Sequence, residues 1–184
     1  MLLISLLSIS LLVLLLILLV DFLYLWSLLM TRSPFIPIPQ ERVSAIISSL
    51  GLVDGSTLYD LGCGEGRVLI GAAEVCASAK CVGVEKSPIA VFLARRACKK
   101  AGMSSRISII SGNIFSQDLS DATHVFCYLY PGMMSDLESK FTDELQHGAR
   151  LVSADFPLPT KEPKEVVALV DGSPLGRKLF VYDF

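Results

Sequence analysis

Asp60-Leu61-Gly62-Cys63-Gly64-Glu65-Gly66-Arg67, followed by an acid at Glu85, is the stretch on which the reading of this chain turns. Ser56 to Asp60 reads as a short buried strand, the three glycines as a tight turn, and Arg67 to Ala77 continues with helical spacing. Glycines suit such a turn because a Cβ would strike a ligand lying against the backbone, and because the turn needs positive φ. The helix N-terminus that follows offers free N–H groups to an anionic ligand group. A second strand, Ala79 to Val84, then places Glu85 nineteen residues after Gly66, where a carboxylate can accept from both ribose hydroxyls. The pattern describes a nucleoside-cofactor site.

A dinucleotide fingerprint would read G-x-G-x-x-G, with a pyrophosphate over the helix start. Here the spacing is G-x-G-x-G, and Asp60 stands two residues before the first glycine. That variant resembles motif I of the class I S-adenosylmethionine (SAM) methyltransferases. The resemblance implies cofactor contacts at Asp60, Gly62, Cys63, Gly64, Glu65 and Gly66, and at Glu85 with Lys86 beside it.

The N-terminus predicts a membrane segment. Residues 1–20 carry no charged side chain and are almost all Leu, Ile and Val. Twenty helical residues at ~1.5 Å each cover a ~30 Å hydrocarbon core. Beyond Asp21 the chain stays apolar to Met30 and carries Tyr24 and Trp26, which favour the headgroup region. There is no basic start and no small-residue cleavage site of the kind a secretory signal has. Arg32 and Arg42 follow the span, which places the downstream domain in the cytoplasm of a single-pass membrane protein. Three prolines between Ser33 and Pro39 make the next segment extended and stiff, a spacer or a strip over the cofactor pocket. The expected division is a transmembrane anchor over residues 1–30, a proline-rich linker over 31–40 and a methyltransferase domain over 41–184.

Composition bounds the rest. Sixteen basic and eighteen acidic residues leave a net charge of −2, which argues against a general nucleic-acid binder. Five scattered cysteines, with no C-x-x-C pair, fit reduced thiols and no metal site. Of the two histidines, His124 is placed in or beside a buried strand and His147 at a helix end.

Beyond the glycine turn, strands and helices alternate, as in a parallel α/β sheet. Gln40 to Leu50 has helical spacing, and Ser87-Pro88 caps and opens a helix to about Ala101. Its Arg95, Arg96, Lys99 and Lys100 read as a solvated face, with an acidic partner as the alternative. Strands are expected at Arg106 to Ile110, Ala122 to Leu129 and Ala149 to Ser153, a helix from Met133 to Gln146, and a closing antiparallel hairpin around Asp171-Gly172. The fold class is therefore α/β, a Rossmann-like seven-strand sheet behind an N-terminal transmembrane helix. Resemblance to the class I methyltransferases implies the order 3-2-1-4-5-7-6.

Asn113, with Ile114 after it, sits where such enzymes usually carry an Asp for the adenine amino group; its amide carbonyl is also an acceptor. Cys127-Tyr128-Leu129-Tyr130-Pro131 ends the fourth strand, on the side where an open parallel sheet presents its ligand crevice. Tyr128, Tyr130 and Pro131 are the candidate catalytic residues. An apolar aromatic pocket favours the neutral form of an amine, and tyrosine faces attract a cation. The alternative is that both tyrosines only pack the sheet edge.

P-F-I-P-I-P, D-L-G-C-G-E-G-R, G-V-E-K, S-G-N-I-F, Y-L-Y-P and G-A-R-L-V-S together resemble the small protein lysine methyltransferases that modify the ATP synthase c subunit and the adenine nucleotide translocase, and their archaeal relatives. The resemblance covers about Pro34 to Phe156; Glu65 and Asn113 depart from it, each standing where Asp is commoner. It implies SAM as cofactor, a lysine of a membrane-associated protein as acceptor, and a lysine channel bordered by the proline strip and Tyr130. Methylation of a lipid-soluble small molecule such as a quinone, and an inactive SAM-binding module, are the alternatives.

Overall fold

The computed structural model describes residues 2–30, 38–169 and 177–184, with side chains in the first segment from 7 to 26. The proline strip up to Pro37 and the expected Asp171-Gly172 turn lie outside the described residues. The chain divides into two compact units, Met1–Pro34 and Phe35–Phe184.

The described residues of the first unit form one helix, α1 (Leu2–Met30). Its stretch Leu7–Trp26 has a mean hydropathy of 2.7 and is long and apolar enough to cross a membrane, by length and composition. Ser10 returns its hydroxyl to the Leu7 carbonyl at 2.9 Å, which satisfies a polar group within the helix itself.

The second unit alternates as expected: α2 (Gln40–Leu50), β1 (Thr57–Leu61), α3 (Arg67–Val75), β2 (Lys80–Glu85), α4 (Pro88–Lys100), β3 (Ile107–Ser111), β4 (His124–Cys127), α5 (Pro131–Glu144), β5 (Arg150–Ala154), β6 (Glu165–Ala168) and β7 (Lys178–Asp183). The seven strands form one sheet in the order β3-β2-β1-β4-β5-β7-β6. The first five are parallel, and β7 runs antiparallel between β5 and β6. The implied order is the observed one.

Period-two alternation sorts the central strands onto two cores. Leu58 and Phe126 join α2 and α3 through Val43, Ile46 and Leu69 on one face. Tyr59, Leu61 and Val125 meet α5 through Leu137 and Phe141 on the other. β1 is buried from Leu58 to Leu61 although it carries Asp60, so it is the glycine turn after it that marks it as a short buried strand in the sequence. Gly83 lets β2 lie tight on the glycine turn: a Cβ there would stand 2.6 Å from Leu69 Cδ1 and 2.7 Å from Cys63 Sγ.

Some boundaries move. β4 ends at Cys127 rather than Leu129, because the next three residues leave the ladder for the site. Helix α5 begins at Pro131 and ends at Glu144, so His147 lies in the turn beyond it and not at the helix end. His124 opens β4, its Nδ1 2.8 Å from the Thr123 hydroxyl.

Candidate active site

The C-terminal ends of β1, β2, β4 and β5 lie side by side, at the end of the sheet where an open parallel sheet presents its ligand crevice. Gly62, Gly64 and Gly66 all take positive φ, at 82°, 53° and 77°. The turn hangs from β2: the amides of Gly62 and Cys63 both donate to the Val84 carbonyl, at 2.8 and 3.3 Å. Gly66 then caps α3 in a left-handed conformation that only glycine adopts cheaply.

Glu85 is tied to the same turn. Its Oε2 accepts from the Gly64 amide at 3.1 Å, and its Oε1 from the amides of Lys86 and Ser87 at 2.9 and 2.8 Å. An ionised carboxylate has about four acceptor positions, so one remains for an incoming hydroxyl. The Lys86 side chain itself is exposed. Asp60, at the end of β1, is buried at 3% exposure. Burial, and then the charge of Glu85, push its carboxyl up to about 8. A carboxyl held neutral in this way is suited to receive a cationic ligand group, which would restore its charged form.

Other candidates are spent differently. Cys63 turns its thiol into the core against Gly83, where burial pushes its pKa up, so only its backbone belongs to the turn. Glu65 accepts from Nε and Nη2 of Arg67 at 3.2 and 2.9 Å, while Arg67 Nη1 donates to the Ile38 carbonyl at 2.8 Å. The last described residues of the proline strip are thereby tethered to the glycine turn. Asn113 uses its side-chain oxygen to cap a short 3₁₀ turn at the Phe115 amide, 3.2 Å away. Ile114 is buried beneath it.

Beyond the end of β4, Leu129 packs against the turn so closely that a Cβ on Gly62 would stand 3.1 Å from it. Tyr130 stacks on Phe156, ring centroids 6.2 Å apart at 27°. Tyr128 donates its hydroxyl to Asp155 Oδ2 at 3.1 Å. Pro131 is the first residue of α5, where its fixed φ suits the helix start. Asp155 and Phe156, just past β5, were not singled out from the sequence. Asp155 is the only non-glycine residue with positive φ among those described, at 62°.

The glycine turn, the paired acids and the aromatic crevice fit a ligand with a ribose and an ammonium. Fold and site together define a SAM-dependent methyltransferase of the Rossmann-like class. The chain belongs to the family described as ANTKMT methyltransferase domain, whose profile matches residues 60–165. It is 34% identical over 149 residues to a protein-lysine N-methyltransferase of Saccharolobus islandicus, covering 81% of this chain and 92% of that one. It is 35% identical over 134 residues to the adenine nucleotide translocase lysine N-methyltransferase of Mus musculus, covering 73% of this chain and 58% of that one. Among solved structures, an RNA methyltransferase from Salinibacter ruber in complex with S-adenosyl-L-homocysteine superposes with a TM-score of 0.75 at 31% identity, over 80% of this chain and 93% of that one.

Proposed function

We propose that this chain is a protein-lysine N-methyltransferase that acts on membrane-associated proteins, held at the bilayer by residues 1–30 with residues 41–184 on the cytoplasmic side. The carrying observation is the 34% identity over 92% of a protein named for lysine methylation. The Tyr130–Phe156 ring stack beside the glycine turn's strand supports it.

When bound, SAM supplies an electrophilic methyl on a sulfonium that is a good leaving group. In this reading Asp60 and Glu85 hold the ammonium and the ribose, and the glycine turn fits the backbone closely around them. The Tyr130–Phe156 pair excludes water and favours the neutral amine, which sheds its proton to solvent before attack. The tyrosine faces help to hold a cationic lysine as it arrives. The work of the site is alignment more than acid–base chemistry.

Two measurements test the reading. Turnover should rise with pH towards the pKa of a lysine amine, ~10.4 when unperturbed. Tyr130→Ala should cut turnover while SAM affinity stays within about twofold, since loss of one stacked ring on the acceptor side is ~0.5–1.5 kcal/mol of aromatic pairing and not a cofactor contact. An RNA acceptor is the second reading, favoured by the likeness to the Salinibacter RNA methyltransferase. It predicts a rate that does not follow an amine's titration.

For the anchor, a chain starting at Ser33 should stay folded and bind SAM. It should lose far more activity on a bilayer-embedded substrate than on a free peptide, through lost effective concentration. Loss of SAM binding on this deletion would make the N-terminal segment part of the domain.

A further inference from the structure

Helix α4 buries Ala90, Val91, Ala94 and Cys98 against the sheet and turns the opposite face outward. That outer face is not the uniformly polar surface its cations suggested. Ile89 is 66% exposed, Phe92 62% and Leu93 38%, spaced so that they adjoin on one helix face. Arg95 folds back to donate to the Ile109 carbonyl at 2.9 Å. Lys86, Arg96, Lys99 and Lys100 are exposed, and residues 86–100 contain no acid.

Single exposed apolar side chains are ordinary on a protein surface. Three adjoining ones beside a row of cations have the make-up of a helix that lies at a lipid–water interface. We infer that the outer face of α4 docks on an anionic lipid surface, with Ile89, Phe92 and Leu93 entering the headgroup layer and Lys86, Arg96, Lys99 and Lys100 meeting lipid phosphates.

Charge complementarity selects the occupant. Exposed cations with no acid among them seek an anionic surface, and Ile89 and Leu93 offer aliphatic chains that neither stack on a base nor hydrogen-bond. The same chain carries the Leu7–Trp26 helix, long and apolar enough to span a bilayer. The residues between Trp26 and Gln40 reach at most ~50 Å even when fully extended. With that helix inserted, the domain stays near a bilayer at high effective concentration, and weak docking suffices.

Docking would also orient the site. Helix α4 starts three residues after the end of β2, so Ile89 and Phe92 lie near the C-terminal end of that strand, the side on which the glycine turn lies. The cations from Arg96 onward begin ~10 Å further along the axis. Seating the apolar end in lipid turns the crevice towards the interface, the level at which lysines of embedded proteins place their amines. The proposal rests on the anchor reading for proximity alone, and its test uses no methyl acceptor.

Full-length protein with Trp26→Phe and Phe92→Trp, reconstituted in nanodiscs, gives a single reporter at position 92. In phosphatidylcholine–phosphatidylglycerol discs its emission should shift to the blue and be quenched by brominated acyl chains. Both effects should weaken with added salt. Discs of phosphatidylcholine alone should give little of either, and Arg96→Glu with Lys100→Glu should abolish the difference between discs while SAM affinity is unchanged. A water-like, unquenched emission in both discs, or equal quenching in the two, would overturn the proposal. So would a response to single-stranded RNA in place of lipid. Methylation assays stand apart: a wrong acceptor leaves these readouts unmoved, and failed docking leaves the lysine reading in place.

Discussion

The hydroxyl of Tyr128 donates to Oδ2 of Asp155 across 3.1 Å, joining the end of β4 to the end of β5. The other oxygen of Asp155 accepts from the amides of Arg177 and Lys178 at 2.6 and 3.3 Å, at the start of β7. A left-handed aspartate at this junction is strain retained by its surroundings, a condition common at functional sites. Asp155→Asn keeps a residue that tolerates this φ. Its amide nitrogen cannot accept the phenolic proton; with Oδ1 serving the two backbone amides, Tyr128 loses its carboxylate acceptor and can at most accept a neutral bond from Nδ2–H.

A hydrogen bond to a charged group contributes ~1.5–3 kcal/mol. Asp155→Asn and Tyr128→Phe should each therefore lower kcat/KM for the acceptor by roughly ten- to a hundredfold. SAM affinity should hold. The double variant should be little worse than either single one, because both remove the same bond. Additive losses in steady-state kinetics would show that the two side chains act separately.

Glu85 gathers three backbone amides and keeps capacity for a ribose hydroxyl. Glu85→Ala should weaken SAM binding at least tenfold, in keeping with ~1.5–3 kcal/mol for charge-assisted bonds. Calorimetry on folded variant protein decides this, and unchanged affinity would remove Glu85 from the site.

If Asp60 holds the ammonium of SAM as proposed, cofactor binding should be proton-linked. Its folded-state pKa of about 8 lies above the ordinary carboxylate value, so near neutral pH the ligand-free protein carries a proton there. A cationic ligand group favours release of that proton. Affinity should therefore climb as pH rises towards 8, by up to about tenfold per unit, and level off beyond it. The same raised pKa means that the folded, ligand-free chain binds more protons than the unfolded one between about pH 4 and 8. Its stability should fall across that window and be lowest above it. Asp60→Asn should flatten both profiles, as followed by calorimetry and by urea unfolding.

Gly83→Ala should cost ~1–3 kcal/mol, the range for overpacking a core. The added methyl collides with Leu69 and Cys63 directly beneath the cofactor turn. Melting temperature and SAM affinity should drop together. A stable variant with normal affinity would mean that the turn tolerates displacement.

The sheet was legible because its signals are local. Buried runs such as Thr57–Leu61, the glycine turn and the Ser87-Pro88 start each depend on neighbours in sequence, and Ser87 does cap α4 by accepting from the Ala90 amide. The turn proposed to hold the cofactor was legible for the same reason: Gly62, Gly64 and Gly66 take the positive φ that such a turn needs. The proposed acceptor side was less so. The left-handed conformation of Asp155 is held by amides 22 and 23 residues further on, across the β5–β7 pairing, and nothing near Ala154-Asp155-Phe156 announces it. Phe156 reaches Tyr130 only because β5 lies beside β4 and brings its ring onto it. Asn113 illustrates the converse: the residue was visible, but its bond to the Phe115 amide shows a capping duty that spacing could not separate from ligand contact.

Everything proposed for the acceptor side depends on which molecule receives the methyl group. Membranes incubated with the enzyme and methyl-labelled SAM can be separated into protein, lipid and RNA, and the protein digested for tandem mass spectrometry. A protein-lysine methyltransferase should leave label in protein, as one to three methyl increments on lysine side chains, and strongly reduced label with Tyr130→Ala. Label confined to the lipid extract or to RNA, with lysines unmodified, would contradict the lysine reading.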